Sequence, residues 1–338
     1  MSIEEKKIKT ILVTGCAGLI GNHFSRYLLS GGYRVIGIDN FFGGYEDYLP
    51  KDVNFQFYNI CLNKDYEKLC EIYELFKPEV TYHFAAYAAE GLSPFIRRFN
   101  YENNVLASAS IVNNCINYNS KLIFSSSMAV YGCSVPPFTE SLRPTPCDPH
   151  GIAKYTVEQD IENASKQFGL RYNIVRPHNV LGIYQNIWDK YRNVIGIWIR
   201  KSLDKENLIV YGDGLQTRAF SDIKYYMKPL SILMNNFDGE IFNIGADQHF
   251  SLIETAKAVK KIAQSFDLDI SIEHAEAREE VKDAYCNHDK AKEMLGFQDD
   301  TNINKLIEEM FEWAKKQPKR ELKYMKYETV KGIYSYWK

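Results

Sequence analysis

The chain lacks a dominant charge, a long apolar run and any pair of cysteines at metal or redox spacing. Its 41 lysines and arginines nearly balance 43 aspartates and glutamates, so no excess of one sign points to nucleic acid or an anionic membrane as the main partner. The amino-terminal stretch MSIEEKKIKT is charged throughout and leads into only a short apolar run. That pattern predicts neither a signal peptide nor a membrane span, and a cytoplasmic protein is the expectation. The seven cysteines, at 16, 61, 70, 115, 133, 147 and 286, form no C-x-x-C pair and no His/Cys cluster. Reduced cysteines and no metal site are therefore expected. Internal repeats and low-complexity segments are also missing.

What is present is 45% apolar and 25% charged residues over 338 positions, the profile of a folded globular protein whose default ligand is a small molecule. Short β-rich runs at 10–15, 33–40, 54–60, 79–86, 121–127 and 171–177 alternate with helical patterns at 22–30, 64–76, 100–118 and 151–168. Strand and helix in strict succession predict parallel strands joined by right-handed crossovers, an α/β doubly wound sheet of Rossmann type. Beyond Pro177 the pattern loosens into polar stretches at 183–194 and 211–226, a short strand at 240–246 and helices near 251–266 and 301–316. A smaller, mixed lobe is expected there. The expected division is 1–177 for the doubly wound domain, with some return of chain near 220–247, and 178–338 mainly for the smaller lobe and the tail. Residues 315–338 hold eight lysines and arginines against two glutamates, interleaved with Tyr324, Tyr327, Tyr334, Tyr336 and Trp337. Aromatics this dense are expected to pack on their own protein or on a subunit partner.

TGCAGLIG places Gly15, Gly18 and Gly21 between the first strand and the first helix. Small residues there let the backbone come close to a pyrophosphate, whose charge meets the free N–H groups and positive dipole end of the helix. Asp39 ends the second strand, where a carboxylate can hold ribose hydroxyls. No Arg or Lys lies between Asp39 and Glu46 to neutralise a ribose phosphate, which favours NAD over NADP.

The spacing G-x-x-G-x-x-G resembles the short-chain dehydrogenase/reductase superfamily. Further motifs resemble its extended branch, the NAD-dependent nucleotide-sugar epimerase/dehydratase family: Asp39-Asn40, HFAA at 83–86, Asn104-Val105, SSSMAVYG at 125–132, RPHNVLG at 176–182, YGDGLQTRAF at 211–220 and LGF at 295–297. The resemblance implies cofactor contacts from Gly15, Gly18, Leu19, Ile20, Gly21, Asp39 and Asn40, and from Asn59, Ile60, Ala85, Ala86, Asn104, Lys154 and Pro177. It also implies that Ser127, Asn179, Arg218 and Arg278 contact a nucleoside-diphosphate sugar, UDP- or GDP-linked, because arginine forks suit phosphate oxygens. A homodimer through the helices at 100–118 and 152–168 is a further family expectation.

In that family a Ser or Thr, a Tyr and a Lys act together. The matching positions here are Ser127, His150 and Lys154, so an imidazole stands where a phenol is expected. Residues i and i+4 share a helix face, which puts His150 and Lys154 in one cleft. An unperturbed imidazole, with a pKa near 6.5, is mostly neutral at neutral pH and can accept a proton. Lys154 opposes its becoming cationic. Tyr155 is no substitute, being turned by about 100° around the helix. His83 and His178 are expected to be structural.

Met128-Ala129 follow Ser127, where the resemblance implies acidic residues for 4,6-dehydration or decarboxylation, so both reactions recede. What remains is oxidation at one sugar carbon, expected at C4, by an epimerase or a dehydrogenase. The rival is a homologue that binds the nucleotide sugar without turning it over.

Overall fold

In the computed structural model, which describes residues 9–278, 280–322 and 325–337, the first half alternates strands and helices as the periodicity predicts. It runs β1 (Thr10–Thr14), α1 (Leu19–Ser30), β2 (Arg34–Asp39), β3 (Phe55–Asn59), α2 (Tyr66–Phe76), β4 (Val80–His83), α3 (Arg97–Tyr101), α4 (Ala107–Asn117), β5 (Lys121–Ser125), α5 (Pro149–Phe168) and β6 (Tyr172–Pro177). The second half adds β7 (Val180–Leu181), α6 (Val194–Leu203), β8 (Leu208–Tyr211), β9 (Thr217–Ala219), β10 (Ser221–Asp222), α7 (Met227–Leu233) and β11 (Glu240–Ile244). It closes with β12 (His249–Ser251), α8 (Leu252–Ser265), β13 (Ile272–Ala275), β14 (Asp283–Ala284), α9 (Asp289–Leu295) and α10 (Ile303–Ala314). Residues 1–8 and Tyr324 lie outside the described residues.

Seven strands form one sheet in the order β11-β6-β5-β4-β1-β2-β3, every pair parallel. Apolar side chains on both faces, such as Ile11, Leu12 and Val13 of β1, are buried, as a parallel sheet under two helical layers requires. Strand order reverses between β1 and β4. In open α/β sheets the crevice outside the carboxyl ends of the strands at such a reversal is where ligands bind.

The second half returns β11 to pair with β6, then builds a separate core on Trp198, Ile199, Leu208, Val210, Val259, Ile307 and Phe311. Helix α6 occupies VIGIWIRKSL, where β-branched and aromatic residues disguise a helix locally. Burial of Ile195, Trp198 and Ile199 at helical spacing decides it. The single helix expected at 100–118 is interrupted by a π-helical turn, Glu102–Leu106. No helix among the described residues is long and apolar enough to cross a membrane.

A buried ion pair ties the sheet to α5. Arg176 of β6 donates to both carboxylate oxygens of Glu158, at 3.0 Å from Nε and 2.5 Å from Nη2. Its Nη1 reaches the Tyr131 hydroxyl at 2.8 Å, which in turn donates to Asn243 Oδ1 of β11 at 2.8 Å. Ser126 Oγ completes the set by donating to Glu158. Breaking a buried pair by removing one partner leaves a charge without compensation and costs about 3–5 kcal/mol. Arg176→Met is therefore expected to destabilise the protein by about that amount in denaturant unfolding. An unchanged midpoint would show that the pair does not hold these elements together.

Candidate active site

The carboxyl ends of the central strands open into a cleft of about 840 Å³, toward the upper end of the roughly 300–1,000 Å³ usual for small-molecule sites. At one end lies the glycine turn. Gly15 has φ +70°, and a Cβ there would stand 2.8 Å from Ala85 N, while one on Gly21 would stand 2.2 Å from Gly15 O. Both approaches exclude any side chain. Gly18 caps α1 without a side-chain hydrogen bond, and the first turn carries no acidic residue, so its N–H groups are available to an anion. Asp39 is tied to this turn by the Ala17 N–H at 3.0 Å and is held in its own loop by the Phe41 N–H at 2.7 Å. Bare N–H groups beside a fixed carboxylate fit a dinucleotide's pyrophosphate and ribose.

Gly15, Gly18, Leu19, Ile20, Gly21, Asp39, Asn40, Ile60, Ala85, Ala86 and Pro177 all line the cleft. Asn59 and Asn104 do not. Asn59 is exposed at the end of β3, and the wall there is made by Ile60 to Asn63. Asn104 is buried in the π turn behind the β4 loop, where its carboxamide accepts Tyr87 N at 2.9 Å and donates to Tyr87 O at 3.1 Å. It shapes the loop from behind and is absent from the cleft wall.

Ser127, His150 and Lys154 all line this cleft, with Lys154 close enough to His150 to act on its charge. Asp148 caps α5 through His150 N at 2.8 Å and Gly151 N at 3.1 Å. A Cβ on Gly151 would lie 2.5 Å from Ala129 O, so glycine lets α5 close on the turn that carries Ser127. Ser127 Oγ accepts Ala129 N at 3.1 Å, which leaves its proton for another partner. Lys154 Nζ donates to Ser125 O at 2.7 Å, and burial, opposed by Glu158, pushes the ammonium down to about 7. Burial also pushes the His150 imidazole down to about 3, with Lys154 and then Arg192 adding to the shift. His150 Nδ1 has no hydrogen-bond partner among the described residues. Tyr155 packs away from the cleft against the cluster of Met128, Tyr131 and Phe138.

His83 is held on both ring nitrogens, by Thr14 Oγ1 at 2.7 Å and Ser108 Oγ at 2.9 Å. Its bonding is that of a structural residue joining β1, β4 and α4. His178 is buried at the cleft wall, stacked on His288 with ring centres 5.1 Å apart.

The far end of the cleft holds the arginines. Arg218 pairs with Glu280 at 2.8 Å, and Asn179 Nδ2 donates to Ala219 O at 3.0 Å. Arg278 lies 3.4 Å over the Tyr211 ring centre and donates from Nε to the Tyr336 hydroxyl at 2.6 Å. The tail thus packs on its own protein. Trp337 is buried against Phe95 and Tyr191, Tyr327 OH donates to Trp337 O at 2.9 Å, and Glu328 accepts Arg98 N and Phe99 N at the start of α3. Arg192 and Glu90 are among the cleft residues that the sequence reading did not assign. Arg192, paired with Asp189 at 2.8 Å, and Glu90 both sit in loops without a periodic pattern. Their only signal was a charge among small or aromatic neighbours.

The model of the NAD dependent epimerase/dehydratase family matches residues 11–245. A UDP-glucose 4-epimerase of Caenorhabditis elegans is 29% identical, the alignment covering 91% of this chain and 98% of that protein. The solved UDP-glucose 4-epimerase of Thermotoga maritima with UDP-glucose superposes with a TM-score of 0.85 at 30% identity, covering 91% of this chain and 99% of that one. A UDP-glucuronic acid 4-epimerase of Bacillus cereus, solved with UDP-glucuronic acid and NAD, gives 0.80 at 25% identity, covering 90% and 99%. With a dinucleotide turn, a Ser-His-Lys cluster and a family match over most of its length, the chain belongs to the NAD dependent epimerase/dehydratase family of nucleotide-sugar enzymes, with NAD as cofactor.

Proposed function

We propose that the protein oxidises a UDP-hexose at C4, as a 4-epimerase or a C4 dehydrogenase. The observation that carries this reading is the convergence of Ser127, His150 and Lys154 in the cleft that the glycine turn opens into. NAD bound in that turn supplies the hydride acceptor. Ser127 holds the reacting hydroxyl through its hydroxyl group, and the neutral His150 imidazole takes the proton. Lys154, fixed by Ser125 O, presents its amine to the same space. A Lys154 already pushed down to about 7 is partly neutral near pH 7, which weakens its opposition to an imidazolium. Arg218, Arg278 and Asn179 take the diphosphate. UDP is favoured because the similar epimerases named above act on UDP sugars. Residues 1–177 with the return near 220–247 serve the cofactor, and 178–338 serve the nucleotide sugar. Exposed Leu106 and Ile152 support a homodimer through the helices at 100–118 and 152–168.

A second reading, a nucleotide-sugar-binding homologue without turnover, is favoured by one observation. An imidazole pushed down to about 3 by burial and two cations is a weak base. UDP-glucose or UDP-galactose deuterated at C4 separates the two. Inverted product or 4-keto sugar from the wild type is expected. Turnover that appears only after His150→Tyr would overturn the proposal in favour of the second reading.

The imidazole itself gives a forecast. With protonation near 3, its Hε1 resonance, assigned by its loss in H150Y, should stay unshifted between pH 8 and pH 5. A midpoint between 6 and 7 would mean an ordinary imidazole and would remove the support for the second reading. His150→Gln is expected to lower kcat by about 100-fold or more, the range lost with a general acid-base group. A change below threefold would assign the proton transfer elsewhere.

A further inference from the structure

One cleft carboxylate has no part in the chemistry above. We infer that Glu90 faces the hexosyl group of the substrate and selects a neutral, hydroxyl-bearing sugar against a uronate. The inference rests on the nucleotide-sugar reading of the cleft.

Glu90 lies on the loop that leaves β4. The loop starts at the glycine turn with Ala85 and Ala86 and reaches the arginine end at Gly91, where a Cβ would stand 3.8 Å from both Arg278 Nη1 and Trp337. Ser93 Oγ, 2.8 Å from Glu90 O, lies 3.3 Å from Asp148 Oδ1, and Asp148 caps the helix that carries His150. Glu90 therefore stands between the reacting centre and the diphosphate arginines. A substrate that spans the two must lay its hexose beside it.

The charges around that space are unequal in their freedom. Arg218 is matched by Glu280 and Arg192 by Asp189. Arg278 is engaged by Tyr211 and Tyr336, Lys190 lies over the Tyr191 ring, and Lys154 is bound to Ser125 O. Asp148 and Glu280 are both close enough to act on Glu90. Glu90 opens onto the cleft, yet the surrounding walls desolvate it and push its carboxyl up to about 7, with Asp148 adding and Arg218 opposing. Sugar hydroxyls donating to this carboxylate form charge-assisted bonds. A C6 carboxylate would bring a second negative charge beside Glu90, and like-charge juxtaposition is how a site rejects a wrong ligand.

Titration calorimetry of the purified protein at pH 8 with UDP, UDP-glucose and UDP-glucuronate tests the assignment. UDP-glucose is expected to bind about tenfold or more tighter than UDP-glucuronate, the effect of one like-charge contact. Glu90→Gln, which keeps the shape and removes the charge, should shrink that ratio to about threefold or less and leave UDP binding unchanged. UDP that binds, with a preference for UDP-glucuronate or a ratio that Glu90→Gln does not move, would overturn the role of Glu90 alone. No binding of UDP would overturn the nucleotide-sugar reading, and the inference with it.

Discussion

A carboxylate cannot sit in the interior of a protein without a partner, and the placement of Glu158 against Arg176 is the constraint from which the geometry of this site follows. Glu158 is one helical turn beyond Lys154 and two beyond His150 on α5, so fixing it fixes the face that those two residues share. Arg176 belongs to β6 and Tyr131 to the turn after Ser127, and Ser126 donates to the same carboxylate. The serine turn, α5 and two strands are thus joined through one hydrogen-bonded group of side chains. Because Asn243 of β11 closes the group, chain from the second half of the molecule helps to hold a site built mainly by the first.

The same dryness that makes the pair necessary also sets the chemistry beside it. His83, His150 and His178 are each pushed down to about 3, burial being the largest cause in every case, and Lys154 is brought to about 7. In such surroundings a base that starts neutral and becomes positive is disfavoured, whereas one that starts negative and becomes neutral is not. The imidazole at 150 is therefore more than a change of shape. As a base it would reverse the sign of the charge change that a phenolate undergoes on taking a proton, beside the Lys154 amine.

The parallel sheet was legible in the sequence because its strands are short apolar runs separated by amphipathic helices, and the glycine turn because Gly15 and Gly21 occupy positions where no Cβ fits. Helix α6 was not, since its β-branched and aromatic residues do not favour a helix locally and their burial at helical spacing is what selects it. Side-chain roles followed the same division. Gly18, Asp39 and Lys154, each tied to a strand end or a helix start, line the cleft, while Asn59 and Asn104 do not. Glu90 and Arg192 are placed by loops whose course depends on distant contacts, and nothing periodic in their neighbourhood marks them.

The carboxyl-terminal segment carries a consequence for the order of assembly. The cofactor residues that line the cleft, from Gly15 to Pro177, come from the first half of the chain, with Gly182 packed beside Leu19. The opposite end waits for Tyr336 and Trp337 to dock on Arg278, Phe95 and Tyr191, and for Glu328 to close the start of α3. The two ends of one cleft thus depend on residues more than a hundred and fifty positions apart. During synthesis the dinucleotide end can form well before the sugar end has its last wall.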